Sequence, residues 1–451
     1  MQRRIFSLLF LIAGVLLIQS VQAQTLVDAN GTNEFAPIGP QTADASLPTV
    51  IDSSILLARN GGIIKGVGDL DLTVINLDLA TGETKALNAV GPGTIIDMET
   101  GQTTIDMTEP VAVRQRGAFA ELGGTVILTN ATVELGPNST TSYSRAIEAS
   151  NPNSFLIATN TNTVITVHDD GAYVNDGGTL TLSGTRTGTS STSTITLTDP
   201  GSPPRPPSLP GISVSYGLLA QYPGATFATI LRATGTVIQV TGDNNSFVGA
   251  IGDTSALKTT TTIDNSYVTG SGNNNFGLDA RWGGEVDVRN STVTSMGNSD
   301  AGIVDGEGIL DIRDSTIHGD RNGIVASDAS GHFWFGDDFP FNPDTVTLIR
   351  SSLTNSAGGN GEAAFRVMGA QADIFLDNST VDSGTGAGVT QHLLLHVSPI
   401  DLLGNEFPTN VNLTATNSSI MNGDILVDAK STANVFLETS STLNGARMKT
   451  S

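Results

Sequence analysis

Length, composition and charge already exclude several classes of protein. The chain has 451 residues, of which 38% are hydrophobic and 14% are charged, so it is not a highly charged disordered chain. Its 44 acidic and 21 basic residues give a net charge of -23. Nucleic acid and anionic membranes bind through Lys and Arg and are therefore not expected partners. There are no cysteines, which excludes disulfides, thiolate metal sites and a cysteine nucleophile.

The N-terminal residues have the pattern of an exported protein. Arg3 and Arg4 precede an apolar run over residues 8–18, and a small-residue cleavage site ends at Ala23. The apolar run is shorter than the roughly 20 residues that a membrane-spanning helix needs. The sequence therefore predicts a signal peptide over residues 1–23. It also predicts that the protein is exported.

Most of the remaining chain repeats one phrase about every 25 residues. A small and an apolar residue are followed by a short polar step, often Gly-Gly, and then by an alternating strand that ends in Asn/Asp-Ser-Thr. The clearest copy spans residues 277–293, and others begin near Ala118, Ala172, Gly302 and Ala364. Repetition at this length indicates one structural unit stacked on itself.

Alternation within each copy predicts strands. In Val286-Asp287-Val288 the valines face inward and the aspartate faces solvent. Asn and Asp tolerate left-handed dihedral angles, so Asn290 bends the chain into the next face. The repeat therefore predicts an all-β fold, a single right-handed parallel β-helix.

The predicted core of this β-helix is aliphatic. This prediction requires that one shared core contains Val126, Leu182, Val288, Ile312 and Leu376. Aligning the copies on their leading apolar residue gives one equivalent position in each coil: Phe119, Ile147, Tyr173, Leu218, Phe247, Leu278, Ile303, Ile324, Phe365, Val389 and Ile425.

The domain organisation follows from the limits of the repeat. Residues 24–49 are polar and punctuated by Gly and Pro, which indicates a linker or an N-terminal cap. Residues 50–445 contain the β-helix, and residues 446–451 form a tail. Two insertions interrupt the array, a proline-dense one at 199–211 and an aromatic one at 331–343. Insertions in solenoids leave the array as loops.

The repeated phrase resembles that of a known family. The signal peptide, the acidic charge, the absence of Cys and the wording G-(L/I)-x-A…GG-x-V-x-(V/L)-x-N-S-T-(V/I) are together similar to the passenger region of bacterial autotransporters of the pertactin-like kind. Residues 417–445 also resemble the end of such a passenger, shortly before its translocator. The family continues into a C-terminal outer-membrane barrel. This sequence ends at Ser451 without the alternating strands of one.

The resemblance implies an exported, surface-displayed passenger that acts as an adhesin or a structural spacer. The implied location is the bacterial cell surface or the outside of the cell, or the periplasm if no translocator exists. The implied partners are a ligand on a host cell, in the matrix or on a neighbouring cell, and an outer-membrane translocator encoded elsewhere. A nonfunctional fragment of a larger gene is a further interpretation.

The alternative function is a secreted, pectinase-like β-helix enzyme that degrades polysaccharide. Inverting glycosidases need carboxylates that converge on one groove, and Asp169 with Asp170, beside His168, is the candidate catalytic pair. The Asn-Thr-Asp and Gly-His-Gly elements of pectin-cleaving enzymes are missing, as is the Gly-Asp-Ser-Gly of serine-protease passengers. The sequence therefore predicts that the chain is not an enzyme and that the two aspartates are acidic turn residues.

The predicted ligand contact is an aromatic cluster in the second insertion, because exposed aromatic side chains commonly anchor interfaces. An alternative role for this cluster is to cover the wall of the solenoid. His392 and His396 have the spacing of a helical zinc site, but the leucines between them indicate a strand. The sequence predicts no metal and no cofactor. The residues of the aromatic cluster are Phe333, Trp334, Phe335, Phe339 and Phe341.

Overall fold

The computed structural model describes most of the chain as strands and turns. No helix occurs among the described residues, and accordingly none in that part of the chain has the length and hydropathy to cross a membrane. The described residues are 25–45, 54–75, 83–108, 114–136, 144–166, 169–198, 215–222, 227–253, 257–328, 342–358, 361–387, 389, 391–402, 405–438, 440–445 and 448–450.

Three long parallel sheets, here named A, B and C, carry the architecture. Each coil of the chain passes through one strand of sheet A, then one of sheet B, then one of sheet C. Within the described residues sheet A has 15 strands, and sheets B and C have 14 strands each. Neighbouring strands are parallel, as in the pairs formed by residues 115–121 with 144–150 and 125–129 with 155–159. The fold is the right-handed parallel β-helix that the repeat predicts.

The strands are numbered in chain order. Sheet A contains β1 (Val27–Asn30), β4 (Ser54–Arg59), β7 (Thr84–Val90), β10 (Gln115–Glu121), β13 (Ser144–Ser150), β16 (Asp169–Asn175), β21 (Tyr216–Gln221), β24 (Ser246–Ile251), β27 (Phe276–Arg281), β30 (Asp300–Asp305), β33 (Ile324–Ser327), β36 (Ala363–Met368), β39 (Leu393–Ser398), β44 (Asp424–Val427) and β47 (Met448–Thr450).

Sheet B contains β2 (Asn33–Phe35), β5 (Ile63–Lys65), β8 (Ile95–Met98), β11 (Thr125–Thr129), β14 (Phe155–Thr159), β17 (Thr179–Ser183), β22 (Thr229–Thr234), β25 (Thr259–Asp264), β28 (Gly284–Arg289), β31 (Ile309–Arg313), β34 (Asp344–Ile349), β37 (Gln371–Asp377), β42 (Asn410–Thr416) and β45 (Thr432–Leu437).

Sheet C contains β3 (Gly39–Asp44), β6 (Leu70–Ile75), β9 (Thr103–Met107), β12 (Ala131–Leu135), β15 (Asn162–Thr166), β20 (Ser193–Thr198), β23 (Thr236–Thr241), β26 (Tyr267–Ser271), β29 (Thr292–Met296), β32 (Thr316–Gly319), β35 (Ser352–Asn355), β38 (Thr380–Asp382), β43 (Ile420–Asn422) and β46 (Thr442–Asn444). Two antiparallel ribbons, β18 (Arg186–Thr187) with β19 (Ser190–Ser191) and β40 (Ile400–Leu402) with β41 (Asn405–Phe407), project from the coils.

The ends of the array differ from the predicted boundaries. Strands β1 to β3 lie inside residues 24–49 and pair with β4 to β6, so this segment forms the first coil. Strand β47, in the predicted tail, pairs with β44. Hydrogen bonds to a neighbouring coil hold these short strands although their own sequences lack a clear alternation. The predicted signal peptide and the insertion at 199–211 include no described strand, because 1–24 and 199–214 lie outside the described residues.

The core runs as one column along the axis of the rod. Val126, Leu182, Val288, Ile312 and Leu376 are each at most 2% exposed and belong to a single hydrophobic cluster. The cluster is built almost wholly from Val, Ile, Leu, Ala and Met. The prediction of an aliphatic core shared by successive coils is confirmed.

Asn-Ser-Thr forms the corner between sheets B and C. Asn290 has a φ of 48°, the left-handed value that Asn tolerates. The Ser291 hydroxyl then accepts a hydrogen bond from the backbone N–H of Ser266 at 3.0 Å and donates to the carbonyl of Arg289 at 2.5 Å. The backbone N–H of Ser291 in turn donates to the Ser315 hydroxyl at 3.1 Å. The serine ladder therefore satisfies backbone groups that the sheets leave unpaired at the corner.

The Gly-Gly step forms the corner between sheets A and B. Gly283 has a φ of 77°, which favours glycine. A Cβ on Gly284 would lie 2.1 Å from the carbonyl oxygen of Ala250 in the preceding coil. The second glycine is therefore required by the close approach of two coils.

Candidate functional site

Sheet A differs from the other sheets in the burial of its outward side chains. In sheets B and C buried positions alternate with more exposed ones, as in β14 of sheet B and β29 of sheet C. In sheet A the strands β24, β27 and β30 are buried at every position. Because alternate side chains of a strand point to opposite faces, the outer face of sheet A is shielded as well as its core face.

A cluster of charged and aromatic side chains occupies this face in three adjacent coils. We call it the charged cluster. Its members come from β10, β13 and β16, and none of them belongs to the hydrophobic core column. All are buried or nearly so, and Glu148 is 1% exposed. The members are Arg116, Phe119, Arg145, Glu148, Asp170 and Tyr173.

Arg145 is the centre of the charged cluster. Its Nη1 lies 2.9 Å from Glu148 Oε1, and its Nε lies 3.7 Å from Asp170 Oδ2. Its guanidinium also stacks 3.4 Å from the centre of the Tyr173 ring. Arg116 forms an ion pair with the second carboxylate oxygen of Glu148. Two arginines and two carboxylates from successive coils therefore neutralise one another away from water.

The charged cluster continues towards the N-terminal coils through Phe119. The guanidinium of Arg116 lies 4.2 Å and the Lys85 ammonium 4.9 Å from the centre of the Phe119 ring, which are cation–π distances. Lys85 also pairs with Glu121 at 2.9 Å. Arg116 pairs with Glu83 at 3.0 Å. Nearby Arg116 and Lys85 hold the pKa of Glu83 below its usual value, although burial opposes this.

Burial gives Asp170 an unusual pKa. Removal from water raises the pKa of this carboxyl to about 6, although Arg145 and a hydrogen bond from the backbone N–H of Tyr216 at 3.1 Å oppose the rise. Glu148 adds a like charge that raises the pKa further. Burial also raises the pKa of Tyr173. A carboxyl with a pKa of about 6 takes up and releases a proton near neutral pH, as general acids and bases do.

The structure separates the two aspartates of the sequence prediction. Asp170 lies in the charged cluster, whereas only the backbone of Asp169 is described, as the first residue of β16 in register with Ser144. The second described carboxylate near Asp170 is Glu148, from the preceding coil. The sequence did not single out Glu148. The feature that could have identified Glu148 is the register between coils, which pairs Glu148 with Tyr173 of the next coil.

A second ion pair lies farther along the same face. Arg281 Nε is 2.5 Å from Asp279 Oδ1, and the two residues are 2% and 0% exposed. The Tyr216 and Ser246 hydroxyls donate to Asp279 Oδ2 at 3.1 and 2.7 Å. Although burial opposes it, Asp279 raises the pKa of Arg281 above its ordinary value. This network is well satisfied, which is typical of a structural role.

Three carboxylates meet at the corner that follows sheet A. Asp305 ends β30, Asp328 follows β33, and Asp344 begins β34. Burial raises the pKa of Asp328 to about 7 and that of Asp344 well above its usual range, where Asp328 and Asp305 add like charge. The backbone N–H groups of Gly306 and Gly308 donate to Asp328 and Asp344 at 3.2 and 3.0 Å. Among the described residues no group of His, Asp and Glu has an arrangement that holds a metal ion.

The remaining candidates from the sequence are placed as follows. The aromatic cluster of Phe333, Trp334, Phe335, Phe339 and Phe341 lies outside the described residues, as does His168. His396 lies in β39, as the leucines predict. Its Nδ1 is 2.9 Å from the Gly361 carbonyl, and its Nε2 is 3.2 Å from Asp428. His392 instead contacts the Ser383 carbonyl at 3.1 Å, so the two histidines have different partners.

The chain has a distant similarity to a solved structure. No protein-family model and no curated protein sequence matches the chain. Among solved structures, the chain is similar to the A-module of the mannuronan C-5 epimerase AlgE6 from Azotobacter vinelandii. The TM-score is 0.31 and the sequence identity 11%, over 87% of this chain and 91% of that one. At this identity and TM-score the similarity carries no argument about activity.

The prediction that the chain is not an enzyme is contradicted. It rests on the absence of the sequence elements of pectin-cleaving enzymes and of serine-protease passengers. The outer face of sheet A holds a buried carboxyl whose pKa is raised towards neutrality. One face of a sheet is enough to bring titratable groups together and shift their pKa values.

Proposed function

We propose that this protein is an exported, surface-displayed β-helix of the autotransporter-passenger type that binds an extended carbohydrate chain along the outer face of sheet A. The observation that carries the proposal is the burial of charged and aromatic side chains on that one face. Sheets B and C, built from the same coils, keep an ordinary alternation of buried and more exposed residues.

Stability alone does not account for the charged cluster. Taking ion pairs out of water costs several kcal/mol for each ion, and apolar residues of similar volume are often as stabilising. The chain nevertheless brings two arginines and two carboxylates together in a largely buried position on one face. Buried, mutually perturbed groups of this kind are typical of functional sites.

The shape and chemistry of the face favour a linear, hydroxylated ligand. Coils repeat about every 4.8 Å, so the side chains form a ladder along the axis of the rod. The ladder combines guanidinium, carboxylate and aromatic side chains, as in Arg145, Glu148 and Tyr173. Binding sites for small ligands combine apolar surface with a few placed polar groups in this way.

Export and surface display rest on the sequence. The signal-peptide pattern over residues 1–23, the absence of cysteines and the autotransporter-like phrase support them. Protease treatment of intact cells that express the gene tests display. If the protein is displayed at the surface, the protease removes it from intact cells. If the protein is degraded only after the outer membrane is permeabilised, surface display is contradicted.

Binding is tested with the purified chain and a panel of neutral and acidic polysaccharides, measured by isothermal titration calorimetry. We expect the wild type to bind at least one polymer and Arg145→Met to weaken that binding about tenfold or more, because charged hydrogen bonds are lost. Arg313→Met is the matched control, since Arg313 pairs with Asp311 on the outer face of sheet B. Equal loss in both variants, or no binding by the wild type, contradicts the proposal.

A second candidate function is favoured by one observation, the pKa of about 6 at Asp170. In this alternative the same face is an active site for polysaccharide cleavage, with Asp170 as the group that exchanges a proton with the bound chain. Incubation with the polymer that binds, followed by chromatography of the products, tests it. Shorter products that disappear with Asp170→Asn support cleavage, and an unchanged polymer supports binding alone.

A further inference from the structure

Arg366 stands apart from the other arginines of the outer face of sheet A. Each of the others has a carboxylate partner: Arg116 and Arg145 pair with Glu148, and Arg281 with Asp279. Arg366 forms no ion pair with any residue in the described part of the chain, and its Nε is buried without a hydrogen-bond partner. On this face of a strongly acidic protein, the described residues thus leave one half-buried guanidinium without an ion pair.

The position of Arg366 places it on the proposed ligand path. It lies in β36 and pairs in register with Val325 of the preceding coil and His396 of the next. It therefore continues the outward row of sheet A, because it alternates with Phe365 and Val367, which belong to the core.

The surroundings of Arg366 make an unpaired charge costly. An apolar cluster of Phe276, Ile303 and Val325, with Met368 packed against it, lies on the same face. Burial lowers the pKa of Arg366, and the positive charge of Arg321 lowers it further. A guanidinium in such surroundings gains more from an anionic partner than one in water.

The nearest charged groups do not provide that partner within ion-pair distance. Asp300 and Glu362 act on Arg366 through their charge, as does Asp428. Asp300 is already held by Arg321, through Nε at 2.8 Å and through a second contact from Nη2. Asp428 accepts a hydrogen bond from His396.

We propose that Arg366 binds the carboxylate of an acidic sugar in the carbohydrate chain that lies along sheet A. The planar guanidinium fork matches a carboxylate in two parallel hydrogen bonds. This inference rests on the proposed function and deepens it, since it names the charge of the ligand. The ligand would then be an acidic polymer. Its carboxylate would bind to the positive charge of Arg366, although the net charge of the protein is negative.

The first experiment asks whether Arg366 has a structural role. Arg366→Met keeps the length of the side chain and removes the charge. We expect its Tm to equal or exceed that of the wild type, because no described residue loses an ion pair. Arg281→Met is the comparison and should lower the Tm, because it removes the positive charge that neutralises the buried Asp279 carboxylate. A fall of the Arg366→Met Tm similar to that of Arg281→Met contradicts the proposal.

The second experiment measures binding of acidic hexasaccharides (galacturonate, mannuronate and guluronate) and of a neutral galactose hexamer. We expect an acidic oligomer to bind to the wild type, and we expect Arg366→Met to lower its affinity about tenfold or more. Arg366→Lys should restore part of the affinity. Arg350→Met, which removes an exposed arginine paired with Asp314, should leave it unchanged.

The outcomes separate this inference from the proposed function. Equal binding of neutral and acidic oligomers, unchanged in Arg366→Met, overturns the carboxylate site and leaves carbohydrate binding in place. If no oligomer binds but citrate raises the Tm of the wild type and not of Arg366→Met, carbohydrate binding fails and the site takes carboxylates from another source. If neither oligomers nor citrate act through Arg366, the inference is overturned.

Discussion

The guanidinium of Arg145 stacks 3.4 Å from the centre of the Tyr173 ring in the next coil. The backbone register pairs Arg145 with Asp170 and Glu148 with Tyr173, so Arg145 reaches diagonally across two rows of the ladder. One side chain thereby contacts a carboxylate of its own coil and two residues of its neighbour. The charged cluster is a property of stacked coils, and no single coil contains it alone.

The buried Arg281–Asp279 pair gives a first prediction on stability. Arg281→Met leaves the Asp279 carboxylate in a site that is 0% exposed, which costs about 3–5 kcal/mol in the free energy of unfolding. The double variant Asp279→Leu/Arg281→Met removes both charges and should recover most of that loss. Urea denaturation of the three proteins measures it. A double variant less stable than Arg281→Met contradicts the prediction.

The raised carboxyl pKa values give a second prediction, on pH. Burial raises the pKa of Asp328 to about 7 and of Asp170 to about 6 in the folded state, above the usual value of about 3.9 in an unfolded chain. The folded protein therefore binds these protons more tightly, and the stability they contribute is lost as pH rises from about 4 to about 7.

Denaturation at several pH values between 4 and 7 measures this loss, which is about 1.4 kcal/mol for each unit of pKa difference. We expect Asp328→Asn to flatten the dependence between pH 5 and pH 7. Asp314→Asn is the control, because Asp314 is exposed and Arg350 holds its pKa below the usual value. A wild type that gains stability throughout this range contradicts the prediction.

The serine ladder gives a third prediction. Ser315→Ala removes the hydroxyl that accepts the backbone N–H of Ser291 at 3.1 Å. A buried donor left without a partner costs about 1–3 kcal/mol. Ser190→Ala, at an exposed position of the β18–β19 ribbon, should change the unfolding free energy by less than about 0.5 kcal/mol. Equal effects in thermal denaturation would show that the ladder contributes nothing specific.

The close approach of coils gives a fourth prediction. Gly284→Ala places a Cβ 2.1 Å from the Ala250 carbonyl oxygen, so the corner between sheets A and B must shift. Gly188→Ala meets no atom within 4 Å and is strained only by its φ of 61°, which costs about 1–2 kcal/mol. We expect Gly284→Ala to lower the Tm clearly more than Gly188→Ala. The reverse order would contradict the packing at this corner.

Local patterns were sufficient for the coil and its corners. Alternation predicted core positions such as Val288 and Ile312, because a strand with one buried face has a period of two. Asn290 predicted a left-handed corner, because few other residues adopt that conformation without strain. Those features depend on neighbours along the chain.

The alignment of copies on an apolar residue was wrong at five positions, where the register instead places Ala118, Ala172, Val248, Gly302 and Leu395. The misplaced residues are Phe119, Tyr173, Phe247, Ile303 and Val389. Ile147 pairs in register with Ala118 and not with Phe119, and Phe119 faces outward against Arg116. The reason is a local break in the alternation. A Cβ on Gly117 would meet the side chain of core residue Val133, and Ala118 is itself in the core, so two consecutive residues face inward.

The sequence by itself therefore determined the stacked coil, the aliphatic column and the Asn and Gly corners, because each depends on residues close together in the chain. Only the tertiary structure decided the charged cluster and the unpaired Arg366. Their chemistry arises between coils, where register brings together Arg145 and Tyr173 and burial sets the pKa of Asp170. The energy of a charged group depends on its neighbours and on its distance from water.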